Sequence, residues 1–354
     1  MNKKMKKNVL KIASLILAGT FVLTACNKDD NPKPSGAYSN ATFVVCEGNY
    51  QTNDGAIDAI VDGKVESDIF DAVNNRPFGD IVQSMSIIDG KAYIVVNNSG
   101  KVEVVDAKTF KSEGVCSGFS YPQAVANRNE DEIFVSNGNG YGNDYVYVVN
   151  KLSLQKTDSV ATGGKGPNSM IVANGKLFVA NYGGYLTDNT ISVIDVETLT
   201  VEKTIEVGDM PSDMEFDSDG NIIVVCKGAS VYNEDWTVIL SSTNSEILKI
   251  NTSSYEVSTI MNFDHQLASY GANLISYNGK IYFIDNGVYS IDNNTATKLI
   301  EGDFYGLDVN PKNGDIWTTS TPSLGLHFVS QYDKDGNFIQ KYTVGNFPKA
   351  VIFQ

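Results

Sequence analysis

Histidine is nearly absent from this 354-residue chain: it has two, His265 and His327. They stand far apart in sequence, and no local Ser-His-Asp or Cys-His arrangement surrounds either. Cysteine is scarce as well. Cys26, Cys46, Cys116 and Cys226 are irregularly spaced, without the short paired intervals that hold zinc. Cys46 and Cys226 end apolar runs, Phe43 to Cys46 and Ile222 to Cys226, and read as small buried side chains. Basic residues are outnumbered, 27 Lys and Arg against 42 Asp and Glu, for a formal net charge of −15. So acidic a surface repels phosphodiester backbones and anionic head groups, which excludes nucleic acid and charged lipid surfaces as expected partners. Calcium loops are missing too. Asp217-Ser218-Asp219-Gly220-Asn221 and Asp333-Lys334-Asp335-Gly336-Asn337 begin like one, but Gly228 and Val344 stand where the bidentate Glu is needed. Both read as Asx-Gly turns. The glycine-rich Gly138 to Gly142 precedes a strand, not a helix, so it is no phosphate cradle. The chain is therefore expected to carry no metal and no cofactor of its own, and not to be an enzyme.

Long hydrophobic runs are limited to the first 25 residues. Lys3, Lys4, Lys6, Lys7 and Lys11 accompany a mostly apolar stretch, Ile12 to Ala25, of 14 residues. A membrane-spanning helix needs about 20, whereas a signal-peptide core needs about this many. The stretch ends Leu23-Thr24-Ala25-Cys26, which resembles the lipobox of bacterial lipoproteins. The resemblance implies that residues 1–25 are a signal peptide and that Cys26 is lipidated. Residues 26–40 are expected to form the lipid anchor and a flexible tether, being too polar to pack. Within them Lys28-Asp29-Asp30 resembles the acidic tag that sends lipoproteins of some Gram-negative gut anaerobes to the outer face of the outer membrane; a solvated charge cluster is the alternative. The expected location is the outer membrane, lipid-anchored and facing the extracellular side.

What the rest of the chain has is repetition. An apolar residue is followed five steps later by Gly and then by a β-branched or aromatic run ending in a polar residue: Met85 to Gly90, Met170 to Gly175 and Leu274 to Gly279. A lead-in recurs as Pro122-Gln123-Ala124-Val125, Pro167-Asn168-Ser169-Met170, Pro211-Ser212-Asp213-Met214 and Pro348-Lys349-Ala350-Val351, with Val82-Gln83-Ser84-Met85 as a version lacking the proline. Each unit continues into two further strands. Four strands per unit of this length is a propeller blade. Units start near Val82, Pro122, Pro167, Pro211, Leu267 and Gly306. The ends supply a seventh, because Thr42–Cys46, Ala56–Ile60 and Val65–Phe70 lack a first strand and Pro348–Phe353 is a first strand with nothing after it. Pairing them leaves no exposed terminal edge. The fold expected over residues 41–354 is thus an all-β, seven-bladed β-propeller closed by the C-terminal strand.

Loop lengths differ between its two faces. First-to-second strand turns are minimal and Gly-ended, as at Asp89-Gly90, Asn174-Gly175 and Asn278-Gly279. Second-to-third strand loops are long: Glu47–Gly55 carries Tyr50, Asn137–Asp144 carries Tyr141, Asn181–Thr190 carries Tyr182 and Tyr185, and Lys227–Asn244 carries Tyr232 and Trp236. Links between blades share that face and add Asp80, Tyr121, His265, Tyr270 and Tyr305. With Asn97, Asn137, Asn168 and Asn181 these aromatics read as a surface for a large, uncharged or zwitterionic, partly apolar ligand. Packing between blades is the alternative for any single one of them.

With these blades and motifs, including Ser192-Val193-Ile194-Asp195-Val196-Glu197-Thr198, the chain resembles the YncE-like propellers. Lipobox, export-like tag and the segment Gly79-Asp80-Ile81-Val82-Gln83-Ser84-Met85 together resemble the BtuG group within them, surface lipoproteins that bind corrinoids beside the TonB-dependent transporter BtuB. The resemblance implies capture of cobalamin or a related corrinoid and transfer to a BtuB-type transporter. Tyrosine, tryptophan and amide side chains suit a corrin fringed with amides, and His265, the one imidazole on this face, has two readings, an approach to the cobalt or a surface histidine without that role. Two other readings remain open on the residues: a structural or adhesive propeller contacting protein or glycan, and a lyase or lactonase on the same scaffold.

Overall fold

The computed structural model describes residues 36–235, 237–267, 274–292 and 294–354. The signal and lipidation expectations, Cys26 included, and those for Trp236 and Tyr270 lie outside the described residues.

The chain folds into four-stranded antiparallel sheets, taken here in chain order. The N-terminal strands are β1 (Thr42–Cys46), β2 (Ala56–Val61) and β3 (Lys64–Glu66), followed by a short helix α1 (Ile69–Asn74). The second blade is β4 (Val82–Ile88), β5 (Lys91–Val96), β6 (Lys101–Asp106) and β7 (Ser112–Ser117). The third is β8 (Pro122–Asn127), β9 (Glu132–Asn137), β10 (Tyr145–Asn150) and β11 (Lys156–Ala161). The fourth is β12 (Pro167–Ala173), β13 (Lys176–Asn181), β14 (Thr190–Asp195) and β15 (Val201–Glu206). In the fifth, β16 (Pro211–Phe216) and β17 (Ile222–Cys226) precede an inserted pair, β18 (Ser230–Tyr232) and β19 (Ile239–Ser242), before β20 (Glu246–Ile250) and β21 (Val257–Asn262). The sixth is β22 (Leu274–Tyr277), β23 (Lys280–Ile284), β24 (Gly287–Asp292) and β25 (Thr295–Glu301). The seventh is β26 (Gly306–Val309), β27 (Ile316–Ser320), β28 (His327–Tyr332) and β29 (Phe338–Val344), and the chain ends in β30 (Pro348–Phe353).

β30 pairs antiparallel with β1, Thr42 opposite Phe353 and Cys46 opposite Pro348, so the first blade reads β30, β1, β2, β3. Ring closure by the two ends is therefore real, and the fold is an all-β seven-bladed propeller. The innermost strands β4, β8, β12, β16, β22, β26 and β30 contact one another in sequence and back to β4.

Side chains alternate along a strand, and in a propeller both sheet faces meet a neighbouring blade. That is why second strands are continuously apolar. Val44 packs toward the seventh blade and Val45 toward the second; Phe134 faces the fourth blade and Val135 the second. The buried apolar side chains accordingly fall into clusters that each join two adjacent blades. Asp89-Gly90, Asn174-Gly175 and Asn278-Gly279 all have both residues at positive φ, the hairpin geometry that Asn, Asp and Gly adopt cheaply. Asp217 and Asp333 each accept backbone N–H bonds from within their own turn, from Asp219 and Asn221 and from Asp335 and Asn337.

Two expectations are corrected. The outer strand expected over Val65–Phe70 stops at Glu66, because Asp68 caps a helix by accepting from the Asp71 N–H while Phe70 stacks on Phe78, ring centroids 3.8 Å apart. Residues 36–40, expected to belong to the tether, pack against the blades instead, since Tyr38 is wholly buried and donates through its hydroxyl to Glu66.

Candidate functional site

Where the innermost strands begin, on the face of the long loops, a cavity of about 390 Å³ opens toward solvent. Its floor and walls come from the starts of β4, β8, β12, β16 and β30 and from residues just after β5, β9, β13 and β17. Asn97, Tyr121, Asn168, Tyr182 and Tyr185, all singled out from sequence, line it. Hydrogen bonds between blades set its edges: Ser84 Oγ donates to Gln123 O (2.8 Å), Asn97 Nδ2 to Pro122 O (2.7 Å) and Ser136 Oγ to Asn168 O (2.8 Å). One wall is backbone against backbone. Tyr185 N–H donates to Asn139 O at 2.9 Å, and a Cβ on Gly184 would lie 2.2 Å from that same carbonyl oxygen, so only glycine fits. Tyr185 meets Tyr121 edge-on at 6.2 Å and the exposed Tyr141 at 6.1 Å, which puts Tyr141 on the rim.

Other candidates are corrected by their surroundings. Asn137 is fully buried, accepting from Ser120 and Tyr121 N–H and donating to Asn143 O. Asn181 is fully buried and donates to Thr190 and Ser192. Their side chains hold loops and are not presented to a ligand. The reason is one residue of register. Asn137 and Asn181 sit opposite Pro122 and Pro167, the row occupied by buried Cys46 and Cys226 opposite Pro348 and Pro211. The next residue along, Gly138, Tyr182 or Lys227, faces the cavity. Asp80 is buried and accepts from Gln51 N–H and the Asn98 amide, tying two loops together. Tyr50 is exposed on the loop that Asp80 anchors. Tyr305 donates to Glu47 at 2.5 Å and lines a separate recess of about 620 Å³ with Phe304, Phe328 and Lys341. His265 stands between Asp264 (2.8 Å) and Asp285 (2.9 Å), outside the cavity lining, and these carboxylates hold its pKa above the ordinary imidazole value. With both ring nitrogens engaged, it is not set to reach a metal centre in the cavity.

Sequence reasoning missed the charged residues of the site: Lys227, Lys349 and Asp213. Burial pushes the Lys227 ammonium down to about 8, assisted by the neighbouring charge of Lys349. Lys349 pairs with Glu47 at 2.9 Å. Asp213 and Glu215 on β16 and Asp308 on β26 are partly buried residues of innermost strands, and Asp213 lines the cavity. Burial lifts Asp213 to about 6, and burial with the charges of Asp213 and Asp308 lifts Glu215 to about 8. Burial also raises Asp308 well above the ordinary carboxylate value, although Val351 N–H donates to it at 2.7 Å. The signal for Lys227 was present, since it directly follows the second-strand run in the blade with the longest loop.

Among solved structures, the chain is similar to a quinonprotein alcohol dehydrogenase-like protein of Bacteroides thetaiotaomicron, with TM-score 0.65 and 17% identity over 89% of this chain and 78% of the other. A periplasmic gluconolactonase of Pseudomonas aeruginosa aligns with TM-score 0.61 and 12% identity, over 88% and 98% of the two chains. Apo AztD of Citrobacter koseri aligns with TM-score 0.55 and 11% identity, over 88% and 83%. At such identities the likeness is one of fold. No curated protein matches the sequence. Residues 40–354 match the model of a domain of unknown function, DUF5074, and the chain belongs to that family.

Proposed function

We propose that this propeller binds a corrinoid, cobalamin or a close relative, without transforming it, and passes it to a TonB-dependent outer-membrane transporter of the BtuB type. The observation that carries the reading is the convergence of Asn97, Tyr121, Asn168, Tyr182 and Tyr185 on one open cavity at the loop face. Amide and phenol groups over an apolar ring surface suit a broad, amide-fringed macrocycle lying across the mouth, with part of its periphery reaching in. The BtuG-like segment and the lipobox-like Leu23-Thr24-Ala25-Cys26 support the same reading, which places the protein as a lipid-anchored binder at the cell surface.

Cobalamin titrated into the full chain is expected to bind and to stay with the protein through desalting. Tyr182→Ala should weaken binding by about 2 kcal/mol, roughly thirtyfold, with little change in Tm. Asn137→Ala should instead lower stability by about 1–3 kcal/mol, because it removes a fully buried side chain that accepts from the N–H groups of Ser120 and Tyr121. No cobalamin binding by the wild type would overturn the corrinoid reading. Cys26→Ala is expected to release the protein from membranes, and equal membrane retention of that variant would count against the anchor.

One observation favours a second reading, a propeller that contacts protein. The β18–β19 hairpin stands out from the fifth blade with Val231, Val238, Ile239 and Leu240 exposed.

A further inference from the structure

We propose that Tyr141 and Tyr185 form a fixed aromatic platform at the mouth of the cavity, which takes a planar heteroaromatic ring carried by the ligand. The two tyrosines belong to different blades, Tyr141 to the loop between β9 and β10 and Tyr185 to the loop between β13 and β14. Their rings lie side by side, centroids 6.1 Å apart and planes 31° from each other. Tyr141 is 69% exposed and Tyr185 66%, so both rings are held out in water rather than packed away. Tyr185 also lines the cavity. A ligand seated there can therefore lay an appended ring across Tyr185 and onto Tyr141.

Backbone contacts fix the position of these rings. The loops 138–144 and 182–189 meet main chain to main chain: Tyr185 N–H donates to Asn139 O at 2.9 Å, and a Cβ on Gly140 would stand 2.2 Å from Gly183 O. Both loops are tied to the link that enters the fourth blade. Asp144 accepts from the N–H groups of Gly140 (2.9 Å) and Gly166 (3.1 Å), and Tyr182 N–H donates to Gly166 O at 3.0 Å. From the cavity side Tyr121 meets Tyr185 almost perpendicularly, 89° at 6.2 Å, and braces it. Ring area carried on a locked backbone loses little conformational freedom when a flat partner covers it. Planar π systems stack on tyrosine faces, and two neighbouring rings cover a fused bicycle more fully than one ring does. Because the platform opens to solvent, the heteroatoms at the edge of such a bicycle keep their water while its face is covered.

If the ligand is a corrinoid, the ring is the base of its nucleotide loop, and in that form the inference rests on the proposed function. The test titrates cobalamin and cobinamide (the same corrin without the nucleotide loop) into the full chain as wild type, Tyr141→Leu and Tyr141→Phe. Leucine removes the ring from an exposed position, and phenylalanine keeps it. Tyr141→Leu is expected to weaken cobalamin about tenfold and cobinamide less than about twofold, with Tyr141→Phe close to wild type for both. Equal effects of Tyr141→Leu on the two corrinoids, or no effect on cobalamin, would overturn the platform and leave the corrinoid reading standing. Should cobinamide not bind at all, the cobalamin titrations decide: loss with leucine and retention with phenylalanine support the platform. If neither corrinoid binds wild type, the corrinoid reading falls and adenosine judges the platform alone. The ring-proton resonances of Tyr141 and Tyr185 in wild type should then move upfield as adenosine is added. Resonances unmoved by about 10 mM, well above a millimolar dissociation constant, would overturn it.

Discussion

Glu215 is partly buried on β16, with Asp213 two residues before it and Asp308 close enough to add its charge. Burial, then these two carboxylates, lifts it to about 8. Its proton is therefore held more tightly in the folded chain than in the unfolded one, where an ordinary carboxyl ionises near 4.3. A group shifted this way favours the fold fully below the ordinary carboxylate range, and that contribution is lost as pH rises toward about 8. Tm is expected to decline over that window. Glu215→Gln, neutral at every pH, should flatten the decline and stand about 2 °C or more above wild type near pH 8. A melting series in which the variant keeps the wild-type slope would mean that Glu215 is ionised in the folded protein. Lys227 is the opposite case, a base disfavoured as a cation by burial and by the charge of Lys349.

At the scale of the element, one residue of register decides which side chains meet the cavity. The row opposite the lead-in proline turns inward between blades, and the following row turns to the cavity. The inserted hairpin follows different logic. β17 pairs directly with β20, Cys226 opposite Glu246, so the fifth blade is complete without β18 and β19, which pair only with each other in the sheet topology. Replacing residues 230–242 with a short Gly-Ser linker is expected to leave Tm within about 2 °C of wild type. A loss of cooperative folding on excision would show that the hairpin is part of the core.

For the whole molecule the decisive contact is between its ends. β30 is the innermost strand of the first blade, and Val351 and partly buried Ala350 and Ile352 fill space against both the first blade and its neighbours. Deleting residues from Pro348 onward would bare the edge of β1 and the flanks of β4 and β26. The truncated chain is expected to aggregate or to lose its cooperative transition in calorimetry, and a monomeric, cooperatively melting product would refute closure by β30. Among the described residues no helix is long and apolar enough to cross a membrane.

Sequence by itself determined the architecture: repeat spacing, Asx-Gly turns and complementary end strands are local patterns, and seven blades with closure follow from them. It also separated the long-loop face, onto which the cavity opens, from the face of minimal turns, because loop length alone distinguishes the two ends of a blade. The residues that line the cavity were legible only in part. Asn97, Tyr121, Asn168, Tyr182 and Tyr185 were found, whereas Asn137, Asn181 and Asp80 were misread as ligand groups. Polar type at a strand end says that a side chain needs partners, not whether a ligand or a neighbouring loop supplies them. The Lys227–Lys349 pair and the enclosed carboxyls of Asp213, Glu215 and Asp308 belong to tertiary structure alone. Asp213, Glu215 and Lys227 come from the fifth blade, Asp308 from the seventh and Lys349 from the first, and only the ring brings these blades near enough for the charges to shift one another, because electrostatic coupling depends on distance and burial rather than on position in sequence.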